Sequence, residues 1–502
     1  MLSHVRTPPW PACPPDFNLA AHVLARAGTV PDKIALQLLR PSGAERWSFG
    51  RLERAVRGIA GGLLRLGRAP GGKVLLRIDN SVDFPLAFLG AVTAGLLPVA
   101  APAGLTAPEV SALAQTLAPV LIVAADGISL PDAPGCPVLT TAELRTMAEG
   151  PEASFALGDP ERPAYLVYTS GTSGQPRAVL HAHRAIWARQ MMHQGWYGLH
   201  EGDRVLHAGA MNWTFTLGTG LFDPWSVGAT ALIPAPGTLP AQLPLYLRRF
   251  DATLFAAAPG VFRQMLKDHP SLDLPRLRHA LSAGESLADP VRAAWTAATG
   301  KPIYEAYGLS ECSTFLSASP ETGEGALYVQ PGRSVALLGA DDRPVPRGQP
   351  GVIAVHQSDP GLFLTYSGAE EDARARRKGE WFVTGDMAVM ADTGAIRYLG
   401  RSDDMMNAGG FRVAPQEVEA ALMTCPGAGE VAVTELTLGP GKSIIGAFFT
   451  GAASADQLAT HAALRLAPYK CPRHFQPVAR LPLTATGKIN RRALREEWTA
   501  KT

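Results

Sequence analysis

The stretch between Tyr165 and Leu180 constrains the fold most, because it changes from strand-forming to turn-forming residues within a few positions. Its first part is apolar and β-prone, which predicts a buried strand. The second part carries two glycines that can adopt positive φ, so backbone N–H groups can converge on an anion. The pattern predicts a strand that opens into a phosphate-binding loop. The loop residues are Thr169, Ser170, Gly171, Thr172, Ser173, Gly174 and the positively charged Arg177.

A short Gly-x-x-Gly spacing is more often an ordinary turn than a phosphate site when it stands alone. This copy is also not the Gly-x-x-x-x-Gly-Lys-Ser/Thr loop of many nucleotide-binding proteins, because no lysine follows Gly174. The functional interpretation therefore depends on motifs further along the chain.

Composition narrows the class of protein. The chain has 502 residues, of which 46% are hydrophobic and 18% charged, so more than one ordinary domain is expected. The net charge is only +2, with no run of Lys or Arg, which argues against nucleic-acid and membrane partners. The cysteines are scattered and form no Cys-x-x-Cys pair, which favours a reducing compartment over a disulfide or zinc framework.

The N-terminus lacks an apolar segment typical of a signal peptide. The one long apolar run, from Phe84 to Ala103, contains Pro85, Pro98 and Pro102, which a membrane-spanning helix would tolerate poorly. We therefore expect a buried helix and strand there, and a cytoplasmic protein.

The first third of the chain alternates between helical and strand patterns. An amphipathic helix is predicted after Ser48, which is suited to cap it. A strand with a turn is predicted from Lys73 to Asn80, and another strand from Pro119 to Ala124. Such alternation is typical of an α/β fold with doubly wound, largely parallel sheets. His181 and His183 are two residues apart and would not share a helix face, so packing or capping is expected rather than metal binding.

Further motifs follow the glycine loop in a fixed order. They are Leu281-Ser-Ala-Gly284-Glu285-Ser286, Tyr304-Glu305-Ala306-Tyr307-Gly308-Leu309-Ser310-Glu311, Thr384-Gly385-Asp386, the segment from Tyr398 to Glu419, and Pro482-Leu-Thr484-Ala-Thr486-Gly487-Lys488. Taken alone, each motif is also compatible with a purely structural role, as a strand end, a turn, a capping carboxylate or a solvated lysine. Their common order makes a shared function the better interpretation.

This series resembles the adenylate-forming superfamily, and within it the medium-chain and benzoate-type acyl-CoA ligases. Arg177 and Ala178 stand where that family usually has Lys and Gly, Ser310 replaces Thr, and Asn407 replaces a common Lys. Arg177 keeps the positive charge but is a planar fork, so its contact to ATP is expected to be rearranged. The resemblance implies a large N-terminal domain over residues 1–402 and a small, mobile α+β lid domain over residues 403–502, with Asp403 as the hinge.

The resemblance also implies roles for individual residues. Glu311 would anchor Mg²⁺, whose preferred ligands are carboxylate and phosphate oxygens, and Ser310 would contact the α-phosphate. Asp386 would accept the ribose hydroxyls, and Lys488 would close over the site. Together with Thr169, Glu311 and Lys488 form the expected catalytic set. The remaining nucleotide or CoA contacts are expected from Gly284, Glu285, Ser286, Glu305, Ala306, Tyr307, Gly308, Tyr398, Arg401, Gly409, Gly410 and Arg412, with the two glycines at 409 and 410 bordering the pantetheine channel.

The acid pocket is expected at Met211, Asn212 and Trp213, with Gly308 at its floor. Acetate-type relatives have a bulky aromatic residue in place of Gly308, so the glycine favours a longer or aromatic acid. No nearby Arg or Lys calls for a second carboxylate on the acid.

The sequence thus predicts a carboxylic acid:CoA ligase that uses ATP, Mg²⁺ and CoA and forms an acyl-adenylate, with AMP and pyrophosphate as products. Two alternatives remain open at this point: transfer of the acyl group to a carrier protein or an amine, and a homologue without catalytic activity. A homodimer is left open as an assembly.

Overall fold

The computed structural model describes residues 1–169, 177–402, 404–408, 411–439, 442–483 and 489–499. Its strands, in chain order, are β1 (His4–Arg6), β2 (Ile34–Arg40), β3 (Gly43–Ser48), β4 (Lys73–Arg77), β5 (Leu97–Ala100), β6 (Leu121–Ala124), β7 (Val138–Thr140), β8 (Pro163–Thr169), β9 (Arg177–Ala182), β10 (Arg204–His207), β11 (Thr230–Pro234), β12 (Leu254–Ala257), β13 (His279–Ala283), β14 (Ile303–Leu309), β15 (Ser313–Ser319), β16 (Gly323–Val329), β17 (Ser334–Leu338), β18 (Pro350–His356), β19 (Thr365–Tyr366), β20 (Arg377–Lys378), β21 (Trp381–Met390), β22 (Ile396–Arg401), β23 (Met406–Ala408), β24 (Phe411–Val413), β25 (Ala428–Gly439), β26 (Lys442–Gly451) and β27 (His474–Pro477).

The α-helices are α1 (Leu19–Leu24), α2 (Phe49–Arg65), α3 (Asp83–Thr93), α4 (Ala107–Leu117), α5 (Thr141–Ala148), α6 (Arg184–Ala188), α7 (Gln190–Met192), α8 (Asp223–Val227), α9 (Leu243–Arg249), α10 (Pro259–Asp268), α11 (Asp289–Thr299), α12 (Glu370–Ala375), α13 (Pro415–Met423), α14 (Ala455–Arg465) and α15 (Arg491–Thr499). Two wider π-helical segments, His193–Tyr197 and Thr216–Phe222, lie between α7 and α8. In the described part of the chain, none of the helices has the length and apolar character needed to span a bilayer.

Local sequence signals explain several of these elements. The Ser48 side chain accepts a hydrogen bond from the Arg51 N–H, which confirms the predicted cap of α2. The apolar run after Asp83 forms α3 and β5, as expected from its prolines. Both elements contribute to one hydrophobic core with α2. A hairpin turn at residues 391–394 joins β21 to β22.

One sheet holds the ends of the glycine loop. Its strand order is β19-β9-β8-β5-β4-β6-β7, with β4 to β8 parallel and β9 antiparallel to β8. Thr169 at the end of β8 pairs with Arg177 at the start of β9. The predicted loop therefore starts and ends on two paired strands.

A second, larger sheet brings together the other motifs. Strands β2 and β10 to β14 run parallel, and β14 then pairs antiparallel with β15. Glu311 lies in the turn between β14 and β15, and Asp386 lies in β21, opposite Arg401 of β22. Because β22 pairs with β16, these distant motifs belong to one continuous sheet.

The C-terminal part has a sheet and a core of its own. Strands β25 and β26 are antiparallel and β27 is parallel to β26, with helices from α13 to α15 packed beside them. Val418, Val433, Ile445 and Phe449 belong to a hydrophobic cluster formed within this part. The α/β class, with a large sheet-based body and a small α+β unit, is confirmed, whereas the boundary at residue 402 stays a prediction.

Candidate active site

Arg177, at the C-terminal end of the predicted phosphate loop, contacts two neighbouring side chains. Nη2 of Arg177 lies 2.7 Å from Oδ2 of Asp372, and its guanidinium lies 4.9 Å from the ring centre of Tyr366. Arg177 is thereby fixed at the loop's C-terminal end. Ser170, Gly171, Thr172, Ser173 and Gly174 lie outside the described residues.

Glu311, the residue predicted to bind Mg²⁺, is half-buried, and one of its carboxylate oxygens accepts hydrogen bonds from neighbouring side chains. Its Oε1 accepts hydrogen bonds from the Tyr366 hydroxyl over 2.5 Å and from Nη1 of Arg376 over 2.7 Å. Burial and the nearby Glu311 carboxylate raise the pKa of Tyr366, which keeps that hydroxyl a donor. Oε2 thus remains the oxygen on which the described residues place no hydrogen bond.

Arg376 is a site residue that sequence reasoning missed. It stands in a strongly charged run after α12 that reads as solvated surface. In the fold its guanidinium turns inward, because Nη2 donates to the carbonyl of Thr384 over 2.5 Å and Nε to that of Val383 over 3.1 Å. Arg376 therefore connects the strand that leads to Asp386 with the metal anchor. A charged run that directly precedes a buried strand was the only available signal.

Asp386 lies within a cluster of buried hydroxyls. Its Oδ2 accepts from the Tyr307 hydroxyl over 2.6 Å and its Oδ1 from that of Tyr398 over 3.3 Å. Nη1 of Arg401 is 3.5 Å from Oδ1. Burial, followed by the charge of Asp386, raises the pKa of both tyrosines, so they remain donors. Four of the predicted nucleotide residues are thus brought into direct contact.

The turn of residues 284–286, which is expected to contact the nucleotide, meets the acid wall, formed by the predicted acid-pocket residues Met211, Asn212 and Trp213. Gly284 has a φ of +95°, and a Cβ at this position would lie 2.6 Å from the Trp213 indole. Glycine is therefore required here both by the backbone angle and by the close ring. Ser286 follows in the same turn, and Glu285 makes further interactions there.

Glu305 supports this turn from behind. Its Oε1 accepts from the Leu287 N–H over 2.8 Å, and its Oε2 lies 3.1 Å from Nη2 of Arg292. Burial raises the pKa of Glu305, against the opposing effect of these two donors. Both carboxylate oxygens therefore hold the turn in place, and the expected contact of Glu305 with the nucleotide stays a prediction. Ala306, the next residue, is buried.

The three predicted acid-wall residues have different environments. Met211 is buried in the main hydrophobic core, and its N–H donates to Oδ1 of Asn80 over 2.8 Å. Asn212 is half-buried beside it. Trp213 is also half-buried and packs edge-on against Phe215, with ring centres 5.3 Å apart. Trp213 is thus the member of the group best placed to face a ligand, and Asn80 is a supporting residue that the sequence did not indicate.

The structure offers an explanation for the glycine at position 308 that the sequence did not suggest. A Cβ at this position would lie 2.1 Å from the carbonyl oxygen of Ser313 and 2.4 Å from Cα of Thr314. The glycine lets β14 and β15 approach at a register shift, and the space beside it is filled by backbone. Strand packing thus accounts for the glycine at position 308, and its expected place at the floor of the acid pocket stays a prediction.

The C-terminal motifs are only partly described. Arg412 belongs to β24, in register with Asn407 of β23. Asp403, Gly409, Gly410 and Lys488 lie outside the described residues. The residues that flank the Lys488 motif, Leu483 and Ile489, form an antiparallel bridge.

The body and the C-terminal unit touch near the predicted hinge. Gly400 has a φ of +117°, and a Cβ there would lie 2.3 Å from Oε1 of Gln416. Arg495 of α15 lies 3.8 Å from Asp404. These contacts place the start of α13 and the last helix beside the end of β22.

Comparison with known proteins identifies the family. The AMP-binding enzyme family matches residues 23–367, and the AMP-binding enzyme C-terminal domain matches residues 417–488. Benzoate–CoA ligase of Thauera aromatica is 32% identical over 99% of both chains. The mouse (Mus musculus) mitochondrial acyl-coenzyme A synthetase ACSM5 is 29% identical, over 97% of this chain and 91% of the relative.

A solved structure gives the same result for the fold. The anthranilate CoA ligase AuaEII, in complex with anthranoyl-AMP, superposes with a TM-score of 0.89 and 26% identity, covering 98% of this chain and 99% of that one. The chain therefore belongs to the AMP-binding enzyme family and is an AMP-forming acyl-CoA synthetase of the adenylate-forming superfamily.

Proposed function

We propose that this ligase activates an aromatic, benzoate-like carboxylic acid, with a medium-chain fatty acid as the second candidate. The observation that carries the proposal is the contact of Trp213 with Gly284, which sets a flat ring beside the turn of residues 284–286, an expected nucleotide contact. An aromatic acid can stack on an indole while its carboxylate points toward the nucleotide. The similarity to benzoate–CoA ligase supports the same class of acid.

The chemistry takes place in two steps. A carboxylate oxygen of the acid attacks the α-phosphorus of ATP, an O–P bond forms, and pyrophosphate leaves. The thiol of CoA then attacks the carbonyl carbon of the acyl-adenylate, the C–O bond to phosphate breaks, and AMP leaves. Both reactants of the first step are anions, so the site must hold them in line and neutralise the developing charge.

The described residues provide parts of that environment. In this proposal Asp386 holds the ribose, and Arg401 and Tyr398 keep Asp386 in place. Arg177 faces the phosphates from the end of the glycine loop. Thr169 and Ser310 would supply hydroxyl groups near the phosphates, and Lys488 would add a cation from the lid.

A magnesium ion fits Glu311 if the phosphates of ATP provide most of its ligands. The described residues contain no cluster of three or more His, Cys, Asp or Glu side chains suited to a metal. Mg²⁺ usually takes one or two protein carboxylates together with substrate phosphates, which matches a single glutamate. When bound there, the ion would neutralise phosphate charge. The Arg376 guanidinium on Oε1 leaves Oε2 as the coordinating oxygen.

The C-terminal unit is proposed to act as a lid over residues 403–502 that turns about Asp403. The adenylate is prone to hydrolysis, yet CoA must reach it, and a domain that closes first and then rotates meets both needs. Gly409, Gly410 and Arg412 would border the CoA channel. A cytoplasmic location and a homodimer complete the proposal, the latter to be tested by light scattering.

The test is a panel of acids in two assays. Acid-dependent exchange of labelled pyrophosphate into ATP measures adenylation, and AMP release stimulated by CoA measures the complete reaction. The proposal expects benzoate-type acids to exceed straight-chain acids in kcat/KM in both assays. Higher kcat/KM with hexanoate or octanoate would show that the preferred substrate is the second candidate, a medium-chain fatty acid. Absence of CoA stimulation would remove CoA as the acceptor.

A further inference from the structure

A small cavity lies between the acid-wall segment and the turn that carries Glu311. About 20 Å³ of it is open to the centre of a water-sized sphere. This exceeds the roughly 10–15 Å³ that one water molecule needs, so the space suits one small polar group. Its polar lining comes from Tyr165, His181, Arg189, Thr214, Ser310 and Ser313.

His181 provides an unused acceptor in this cavity. The side chain is only 2% exposed, and its Nε2 lies 2.8 Å from the carbonyl oxygen of Ser310. A carbonyl can only accept, so Nε2 carries the hydrogen and Nδ1 is left with its lone pair. Nδ1 is buried and has no hydrogen-bond partner among the described residues. Burial also lowers the pKa of His181 to about 4, so the ring is neutral at pH 7.

A buried acceptor without a partner is unusual in a folded protein and points to a ligand or a water. Tyr165 stacks on the His181 ring at 4.9 Å between centres, which fixes the ring plane. The orientation of Nδ1 is therefore set by the fold rather than by a ligand.

Arg189 provides donors on the same cavity. Its Nε lies 2.8 Å from Oδ1 of Asp223 and its Nη2 2.6 Å from Oδ2, with both side chains buried. Nη1 donates to the Ser313 hydroxyl. A guanidinium has two hydrogens on Nη1, so one of them remains. The Ser313 hydroxyl donates its own hydrogen to Sδ of Met192 at 3.9 Å, a weak acceptor that a ligand oxygen can replace.

Gly218 makes this position of Arg189 possible. A Cβ on Gly218 would lie 2.0 Å from Cζ of Arg189. The glycine belongs to the π-helical segment that begins shortly after Trp213, so the guanidinium enters the acid-wall region through the gap that the glycine leaves. Asp223 neutralises its charge, so the pair does not call for a second carboxylate on the substrate.

The cavity therefore offers one acceptor and neighbouring donors within a space the size of one small group. A hydroxyl matches both, because it can donate to Nδ1 and accept from Nη1–H or from Ser313. A methyl group or a halogen cannot donate, and a carboxylate would place its charge against the Nδ1 lone pair and near Asp223.

We propose that His181, Arg189 and Ser313 select a hydroxyl substituent on the acid, so that the preferred substrate is a hydroxylated aromatic acid. This inference rests on the proposed function. A buried water that stays in the cavity with every acid is the competing outcome.

The first test uses the wild-type enzyme. Pyrophosphate exchange is measured with benzoate, the three hydroxybenzoate isomers and the three methylbenzoate isomers. One hydroxy isomer is expected to exceed benzoate in kcat/KM by at least about tenfold, because a site that hydrogen-bonds a substrate hydroxyl rejects analogues that lack it. The methyl isomer of the same geometry is expected to fall below benzoate.

The second test uses two variants and a control. Ser313→Ala, and the double variant Arg189→Met with Asp223→Leu, which leaves no buried charge unpaired, are each expected to lower the ratio of kcat/KM for the hydroxy acid over benzoate by about tenfold. Ser226→Ala removes a hydroxyl that donates to the Asp223 carbonyl over 2.8 Å and does not line the cavity, so this ratio should not change.

The outcomes separate the two proposals. If no acid of the panel supports exchange, the proposed function fails. If benzoate equals or exceeds every hydroxybenzoate, the cavity holds a water and only the present inference fails. A fall in Ser313→Ala by the same factor for both acids also overturns it, since that is the effect of a structural role. These readouts do not depend on the folding of the double variant.

Discussion

Nη1 of Arg376 donates a hydrogen bond to Oε1 of Glu311 over 2.7 Å, although 65 residues separate them in the chain. The same oxygen accepts from the Tyr366 hydroxyl. A cation therefore already occupies one side of the carboxylate that is predicted to hold the metal. Like charges close together disfavour each other, so Arg376 and Mg²⁺ should compete for the negative charge of Glu311.

Replacement of Arg376 by methionine should lower the Mg²⁺ concentration needed for half-maximal pyrophosphate exchange by about three- to tenfold, as expected for about 1 kcal/mol of relieved repulsion near the protein surface. Magnesium titration at saturating ATP measures this. The variant should also unfold at a lower temperature, because the carbonyls of Val383 and Thr384 each lose one donor, although Arg401 still donates to Thr384.

Arg374→Met is the matched control, because Arg374 is exposed on α12 and pairs only weakly with Glu371. Its magnesium titration should follow the wild type. A magnesium requirement that rises in Arg376→Met would instead assign the guanidinium to the phosphates.

Asp386→Asn should raise the KM for ATP by about ten- to a hundredfold, since hydrogen bonds to a charged acceptor contribute about 1.5–3 kcal/mol each. The KM for the acid should change little. Steady-state kinetics with each substrate varied in turn makes the comparison. Tyr398→Phe removes one donor at 3.3 Å from Asp386 and should have a smaller effect. Equal changes in both KM values would indicate general loss of structure rather than loss of a ribose contact.

The stability of the fold should depend on pH through buried histidines. Burial lowers the pKa of His22, His181 and His279 to about 4, and that of His183 and His207 to about 3. A histidine whose pKa in the folded state lies below its ordinary value stabilises the fold above pH 6.5. That stability is lost as pH falls toward the folded-state value. Each such histidine should then cost up to about 1.4 kcal/mol per pH unit below 6.5.

His207→Asn tests the contribution of one of these histidines. The asparagine can still accept from the Gly209 N–H, which Nδ1 of His207 does over 3.0 Å. Denaturant unfolding at several pH values between 6.5 and 4 gives the free energy of unfolding as a function of pH. The slope of this dependence should be smaller in the variant by the contribution of about one proton. An unchanged slope in His207→Asn would mean that protonated His207 is accommodated in the folded state.

Gly308→Ala should destabilise the protein by at least about 1–3 kcal/mol, because the new Cβ would meet the Ser313 carbonyl at 2.1 Å and no flexible side chain can give way. Gly104→Ala is the control, since nothing lies within 4 Å of its Cβ position and its φ is ordinary. Midpoints of urea unfolding compare the two. Wild-type stability in Gly308→Ala would show that β14 and β15 can separate.

The sequence was sufficient for features that depend on neighbours in the chain. The cap at Ser48 and the change from strand to glycine loop after Tyr168 follow from local patterns, and the positions of Glu311 and Asp386 follow from motif order. These features recur because short segments with the same composition form the same turn.

The features that escaped prediction depend on contacts across the fold. The inward turn of Arg376, the Arg189–Asp223 pair and the close approach at Gly308 are fixed by the register between elements far apart in sequence. A long charged side chain gives no local sign of whether it will meet solvent or a buried partner. In each case the missing information was the identity of the facing residue, which only the packed sheet provides.

Lys488→Ala should separate the two half-reactions. The lysine is proposed to neutralise charge as pyrophosphate leaves, and this charge develops only in adenylation, so pyrophosphate exchange should fall by about a hundredfold or more. Thioester formation from supplied acyl-adenylate should stay near the wild-type rate, because the proposed lid would present a different face for that step. Lys470→Ala is a suitable control in the same unit, since that ammonium pairs with Glu417 at 2.5 Å. Equal losses in both half-reactions of Lys488→Ala would show that the residue supports the lid as a whole rather than the adenylation step.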